Sequence, residues 1–144
     1  GGAFSFYHPP SWGVMSQKPA ARILIVDDEP DFLVTMAYWL NARGYEVVIA
    51  QGGAEALAKL SQGLFDVIFL DIVMPDLNGL ETLKRLRAMG VKSPVVLLTT
   101  TGQEPASLID FEAFDIEGLF QKQENLAAFT HVLEAALKAR PSST

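Results

Sequence analysis

The fold is decided by one stretch near the middle of the chain, Val67-Ile68-Phe69-Leu70-Asp71-Ile72-Val73-Met74-Pro75-Asp76-Leu77-Asn78-Gly79. It opens with a continuous apolar run that ends in turn signals, which is typical of a strand buried on both faces of a parallel sheet. The run stops at the carboxylate of Asp71, and a Met-Pro and an Asn-Gly pair follow it. Open α/β sheets bind their ligands at the carboxyl ends of the strands. We therefore expect Asp71 to lie in a binding crevice.

The composition is that of one globular domain. The chain has 144 residues, of which 49% are hydrophobic and 19% are charged, and this length allows a substantial core without covalent staples. It has no cysteines, which excludes disulfides, thiolate metal ligands and thiol nucleophiles. The net charge of −6 argues against nucleic-acid binding by this domain. Neither a membrane span nor a secretory signal is indicated, so we expect a cytoplasmic protein without a membrane partner.

Three segments are predicted along the chain. Residues 1–21 read as an irregular N-terminal arm, whose four aromatic residues leave open whether it is loose or docks on the domain or a neighbour. Residues 22–140 form the domain. Residues 141–144 form a C-terminal tail or the start of a linker, so the chain is either a single-domain protein or part of a longer one.

Strand and helix patterns alternate five times in residues 22–140. The predicted strands are Arg22–Val26, Glu46–Ala50, Asp66–Leu70, Pro94–Leu98 and Gly118–Phe120, and the helices that follow them open near Pro30, Ala54, Leu80, Pro105 and Leu126. Alternation of this kind predicts right-handed crossovers and a parallel sheet covered by helices on both faces. We therefore predict a flavodoxin-like, doubly wound α/β fold with five helices and strand order 2-1-3-4-5.

Polar side chains follow the predicted strands at their carboxyl ends: Asp27, Asp28, Asp71, Thr99 and Lys122. Carboxylates brought together in this way raise one another's pKa unless they share a cation. Because the candidate ligands are all oxygens, a hard cation such as Mg²⁺ is favoured over zinc or copper. A hydroxyl and an ammonium group nearby can bind a phosphoryl group. Each residue alone has a structural explanation, but together they predict an aspartyl phosphate on Asp71.

The motifs that carry these residues resemble the receiver domain of two-component response regulators. The similarity extends from Arg22 to about Arg140, and its most specific parts are the segments 23–30, with Asp-Asp-Glu-Pro, and 70–79, with Asp-x-x-Met-Pro-x-x-x-Gly. Segments 94–99 and 118–122 match more weakly. The resemblance implies a phosphorylation-dependent signalling domain, which accepts a phosphoryl group and is not itself an enzyme.

The resemblance also implies roles for the acidic residues. Asp71 matches the phosphoacceptor, and Asp27 and Asp28 match the acidic pair that holds Mg²⁺ together with it. Val73, two positions after the phosphoacceptor, would bind the metal through its backbone carbonyl.

Further roles follow for the remaining strand ends and for partners. Thr99 matches the switch hydroxyl and Lys122 the phosphate-binding lysine. The implied phosphoryl donor is a histidine kinase or a histidine phosphotransfer protein, and the implied receiver of the signal is a downstream protein or a fused output domain. Leu119, Phe111 and Phe114 are candidates for the output surface, and dimerisation is left open.

Two departures from the family pattern concern how the signal leaves the site. The family has a proline with a cis peptide after the lysine, where this chain has Gln123, and an aromatic switch residue where it has Leu119. They motivate an alternative, a receiver-like interaction module with weak or absent switching. A haloacid dehalogenase-type phosphatase would need an aspartate at Val73. A flavin-binding protein would need a glycine-rich phosphate loop instead of Asp27-Asp28-Glu29.

Overall fold

The computed structural model describes residues 19–74, 78–100 and 111–141. Strands and helices alternate along them in the order β1 (Arg22–Val26), α1 (Pro30–Ala42), β2 (Glu46–Ala50), α2 (Gly53–Leu60), β3 (Val67–Asp71), α3 (Gly79–Ala88), β4 (Val95–Thr99), α4 (Phe111–Phe114), β5 (Ile116–Gln121) and α5 (Leu126–Ala139). All strands are parallel and form one sheet in the order β2-β1-β3-β4-β5. The predicted doubly wound α/β sheet is confirmed.

The prediction of five helices needs correction. The described part of the chain has four helices of at least eight residues, and α4 is a single turn of four residues. The fourth helix was predicted to open at Pro105, which lies outside the described residues. Of the segment predicted to form this helix, the described residues include the helical turn Phe111–Phe114.

The strands also differ slightly from their predicted limits. β3 and β4 each reach one residue further than predicted, so that Asp71 and Thr99 are the last residues of their strands. β5 begins earlier, at Ile116, and its register against β4 slips by one residue between Val95 and Val96. Such a bulge inserts an extra residue and increases the local twist. Simple alternation in the sequence does not predict it.

Alternating side chains of the central strands face two cores. One face carries Leu24, Val26, Ile68, Leu70, Val95 and Leu97 and packs against α2 and α3, and the other carries Ile23, Ile25, Val67, Phe69, Val96 and Leu98 and packs against α1 and α5. At the centre of the second core, the ring of Phe129 lies 4.5 Å from that of Phe69 and 5.1 Å from that of Phe120. Burial on both faces explains why these strands are apolar throughout.

Local signals define the helix ends. Pro30 is the first residue of α1, a position where its missing N–H costs nothing. The side chains of Asn78 and Asn125 accept hydrogen bonds from the first turns of α3 and α5. Gly44 and Gly90 follow α1 and α3 with φ of 92° and 90°, the left-handed conformation that favours glycine.

Arg87 connects α3 to the elements around it. Its guanidinium donates hydrogen bonds to the backbone carbonyls of Val91, Ser93, Phe114 and Asp115, at distances of 2.8–3.0 Å. Asp115 has a φ of 58°, so the turn between α4 and β5 includes a non-glycine residue in the left-handed region. The arginine therefore fixes this turn against the start of β4.

The end of the predicted N-terminal arm is part of the folded domain. Ala20 donates a backbone hydrogen bond to Gly44, Ala21 accepts one from Glu46, and Ala21 is buried. The rest of the arm, residues 1–18, lies outside the described residues, as do residues 142–144 of the predicted tail. Among the helices of the described ranges, none combines the length and the apolar character needed to cross a bilayer.

Candidate functional site

The three aspartates meet where β1 and β3 end side by side. Val26 pairs with Leu70 in the sheet, so Asp27 and Asp71 follow at neighbouring strand ends. Asp27 is fully buried, Asp71 is 5% exposed, and Asp28 lies at the surface. One carboxylate oxygen from each of the three lies within 4.8 Å of the others. The structure thus brings together the acidic residues that the sequence places at successive strand ends.

Backbone N–H groups orient the two buried carboxylates. Asp27 Oδ1 accepts a hydrogen bond of 2.8 Å from the N–H of Glu29, and Asp71 Oδ1 accepts one of 3.1 Å from that of Val73. In both cases the donor is two residues further along the chain, which is the geometry of an Asx turn. Each carboxylate is therefore held by one oxygen, and both Oδ2 atoms face Lys122.

Lys122 reaches the same place from the end of β5. Its Nζ lies 2.8 Å from Asp27 Oδ2 and 3.9 Å from Asp71 Oδ2, and it also forms an ion pair with Glu29. The Lys122 side chain is only 9% exposed, and its ammonium lies 5.1 Å from the centre of the Phe32 ring. A lysine considered in isolation is most often a solvated surface residue, whereas Lys122 is enclosed by carboxylates and an aromatic ring, at the strand end where the sequence predicted it.

Thr99 is the last residue of β4, next to β3 in the sheet, and is buried. Its backbone carbonyl accepts a hydrogen bond of 2.8 Å from the N–H of Lys122. This bond ties the ends of β4 and β5 together. The residues predicted to bind a phosphoryl group therefore lie at the same edge of the sheet as Asp71.

The carboxylates have displaced pKa values for reasons that the geometry explains. Burial and then the charge of Asp27 raise the pKa of Asp71 from 3.8 to about 7, although the Val73 N–H and Lys122 oppose the rise. Burial likewise raises the pKa of Asp27, against the opposing effect of Lys122. The sequence predicts mutual repulsion as the cause, but in the structure loss of water contributes more than repulsion does.

Lys122 responds in the opposite way. Burial alone would lower its pKa, but the contacts with Asp27 and Glu29 outweigh this effect and raise the pKa above its ordinary value. The lysine therefore keeps its positive charge among these acidic groups.

The donor set fits a hard divalent cation. The buried Oδ2 of Asp27 has the Lys122 ammonium, 2.8 Å away, as its partner. One ammonium cannot balance three carboxylates that lie together, and coordination of a divalent cation would compensate the remaining negative charge. Among the described residues, the group that could hold a metal consists of three carboxylates and includes no nitrogen or sulfur ligand, which is typical of Mg²⁺ sites. Asp28 adds an oxygen on the solvent side.

The other predicted residues lie around this cluster. Val73 is 52% exposed beside Asp71, and Leu119 is 39% exposed on the edge strand β5. Phe114 is partly buried and packs against the core shared by α2 and α3. Phe111 belongs to α4, but its side chain lies outside the described part of the structure. All peptide bonds between described residues are trans, including the bond before Gln123.

Sequence reasoning missed the contact made by Glu29. An acid directly before Pro30 is explained by its favourable interaction with the N-terminus of a helix, and Glu29 is the N-cap of α1. Within the described structure, however, its side chain makes no capping hydrogen bond and pairs with Lys122 instead. Its position directly after Asp27 and Asp28 was the available signal, because all three lie on one loop facing the end of β5.

Comparison with known proteins is consistent with this arrangement. The family model described as the response regulator receiver domain matches residues 23–134. The alkaline phosphatase synthesis transcriptional regulatory protein PhoP of Bacillus subtilis is 33% identical over 125 residues, which are 85% of this chain and 52% of PhoP. The chain spans about half the length of several such relatives.

Solved structures show the same fold. The chemotaxis protein CheY4 of Vibrio cholerae superposes with a TM-score of 0.74 at 33% identity, covering 81% of this chain and 98% of CheY4. The response regulator TrrA of Thermotoga maritima, in complex with Mg²⁺ and BeF, gives a TM-score of 0.71 at 31% identity, covering 84% of this chain and all of TrrA. The chain therefore belongs to the receiver domain family of two-component response regulators, whose function is phosphorylation-dependent switching.

Proposed function

We propose that Asp71 is the phosphoacceptor of this receiver domain. The observation that carries the proposal is a buried carboxylate at a strand end with two further aspartates and a lysine around it. In the transfer, an Asp71 carboxylate oxygen forms a bond to phosphorus as the bond from phosphorus to the donor's histidine nitrogen breaks. The imidazole leaves with the electron pair. The product is an acyl phosphate on the protein.

Asp27, Asp28 and Asp71, with the backbone carbonyl of Val73, are the residues that we assign to Mg²⁺. When bound, Mg²⁺ supplies positive charge that neutralises the phosphoryl oxygens. Lys122 provides a second positive charge on the same side of Asp71. These charges matter because phosphoryl transfer depends on positioning and electrostatic stabilisation.

Phosphorylation can affect the rest of the domain only through contacts that differ between two conformational states. We assign this role to the Thr99 hydroxyl, which would bind the phosphoryl group, and to a surface that includes Leu119, Phe111 and Phe114. The donor is a phosphohistidine in a kinase or a phosphotransfer protein. Because several relatives are transcriptional regulators about twice as long, we propose an output domain or downstream protein as target, in the cytoplasm.

The test is phosphorylation by a small donor. Purified protein incubated with acetyl phosphate and Mg²⁺ should gain one phosphoryl group by intact mass, because the site needs only a phosphoryl donor and a cation. Asp71→Asn should gain none, and chelation of Mg²⁺ should suppress the gain in the wild type. Wild-type protein that remains unmodified, or Asp71→Asn that is still modified, would show that Asp71 is not the acceptor.

One observation favours the alternative of a receiver-like interaction module. Position 119 carries a leucine that is already partly exposed, so an aromatic ring cannot move between exposed and buried states there. In that alternative, phosphorylation of Asp71 would leave the amide NMR signals of β5 and α5 unchanged outside the site. Shifts that spread to those elements favour the switch.

The lifetime of the phosphoryl group should be long. Val73 is beside Asp71, half exposed and apolar, so its side chain cannot hydrogen-bond a water molecule for attack on phosphorus. We expect autodephosphorylation over minutes or longer, measured by the loss of the phosphorylated mass after donor removal in Mg²⁺. Val73→Asn, which introduces a polar side chain, should shorten the lifetime severalfold. Decay of the wild type within seconds would contradict this reasoning.

A further inference from the structure

The ammonium group of Lys122 is shared unequally among three carboxylates. It contacts Glu29, lies 2.8 Å from Asp27 Oδ2, and is 3.9 Å from Asp71 Oδ2. The two closer partners both belong to the loop between β1 and α1. In this state the lysine is therefore held towards that loop and away from the carboxylate that we assign as phosphoacceptor.

Glu29 is the partner that the site does not otherwise require. It is an exposed residue, with 62% of its side chain accessible, whereas Lys122 is almost enclosed. The pair joins the loop after β1 to the loop after β5, 93 positions apart in the sequence. Asp27 is assigned to the metal and Asp71 to the phosphoryl group, but Glu29 has neither role.

We propose that Glu29 is a positioning residue that holds Lys122 in a resting place, so that a phosphoryl group on Asp71 binds Lys122 only by displacing Glu29. This inference rests on the proposed function of Asp71. It identifies a competition between an internal carboxylate and the incoming phosphoryl oxygens for one ammonium group. Glu29 thereby lowers the affinity of the site for the phosphoryl group.

The size of the effect follows from exposure. An ion pair in which one partner is largely solvated has a small net stability, because water competes for the charges. Release of Lys122 from Glu29 should therefore tighten binding of a phosphoryl group by about two- to fivefold. The state that keeps Lys122 on Glu29 is stabilised relative to the phosphoryl-bound state by the same factor.

Beryllium fluoride is a suitable probe because it accompanies Mg²⁺ in the structure of TrrA. Its dissociation constant would be measured by calorimetry at saturating Mg²⁺ for wild type, Glu29→Gln and Glu29→Asp. Glu29→Gln removes the competing charge, and Glu29→Asp keeps the charge but shortens the side chain by one methylene. Both variants should bind the probe about two- to fivefold more tightly. In a separate titration, Glu29→Asp should bind Mg²⁺ with wild-type affinity. A general disturbance of the site would change the affinity for Mg²⁺ as well.

Asp31→Asn is the matched control. Asp31 is an exposed acid in the first turn of the same helix and forms no ion pair with Lys122 in the described structure. Its replacement removes one negative charge nearby and should change the affinity for the probe less than Glu29→Gln does. Equal tightening by Asp31→Asn, or unchanged or weaker binding by both Glu29 variants, would overturn the inference. If wild type does not bind the probe and acquires no phosphoryl group from acetyl phosphate, the proposed function fails as well.

Discussion

Replacing Asp71 by asparagine is expected to stabilise the metal-free protein by about 2–4 kcal/mol at about pH 8. The wild type must ionise a carboxyl group that is 5% exposed and lies beside the buried Asp27. Asparagine occupies nearly the same volume without a charge. Loss of a residue assigned to the site should therefore increase the free energy of unfolding.

The sign and the pH range follow from the pKa of Asp71. Burial raises it from 3.8, the ordinary value, to about 7 in the folded protein. Between these values the folded state keeps a proton that the unfolded state has lost, so the contribution of Asp71 to stability decreases as pH rises through this range. It is fully present below the lower value and lost above the higher one. At ~1.36 kcal/mol per pKa unit, the complete loss of this contribution approaches about 4 kcal/mol. This is an upper value for Asp71→Asn, because the buried asparagine amide also needs hydrogen-bond partners.

Urea unfolding in a chelator at several pH values would measure this difference. The free energies of wild type and Asp71→Asn should lie close together at about pH 4 and separate up to about pH 8. Mg²⁺ should reduce the separation, because it binds the folded wild type and compensates the charges. Asp31→Asn removes a carboxylate at an exposed position and is the control for the substitution itself. A constant difference between wild type and Asp71→Asn over the whole range would contradict the assignment.

Much of the fold and most of the candidate site could be predicted because the relevant signals are local. The apolar runs that become β1, β3 and β4 are buried on both faces, and their ends carry the polar residues. The carboxyl ends of parallel strands lie at the same edge of the sheet. Residues that directly follow successive strands, such as Asp27, Asp71 and Lys122, are therefore brought together.

The features that were missed depend on contacts between distant segments. Glu29 looks like a helix-capping acid until the loop after β5 places Lys122 against it. The four carbonyl contacts of Arg87 depend on how α3 meets the turn after α4, which no periodic pattern encodes. Burial at Asp71 is likewise a property of the packed sheet. The sequence pattern therefore indicated repulsion between carboxylates as the cause of its raised pKa, whereas burial is the larger cause and repulsion by Asp27 comes second.

Replacing Gly79 by alanine should destabilise the protein by at least about 2 kcal/mol and weaken its binding of Mg²⁺. Gly79 is the first residue of α3, and its N–H donates a hydrogen bond of 2.8 Å to the carbonyl of Ile72. A Cβ atom at this position would lie 2.3 Å from the carbonyl oxygen of Asp71 and 2.5 Å from Cα of Ile72. Both are backbone atoms, so the end of β3 must move. Helix propensity alone predicts that Gly79→Ala would stabilise the protein, since alanine is favoured over glycine in a helix by up to about 1 kcal/mol.

Gly118→Ala is the matched control for this substitution. Gly118 lies in β5, and a Cβ atom there would meet no described atom within 4 Å, so its free energy of unfolding should change by less than about 0.5 kcal/mol. Urea unfolding and a Mg²⁺ titration of both variants would separate the two positions. If Gly79→Ala were as stable as Gly118→Ala and bound Mg²⁺ like the wild type, the close approach of α3 would not constrain Asp71. The expected loss at Gly79 alone would show that the helix start holds the end of β3, and thereby the Asp71 carboxylate, in the position that the site requires.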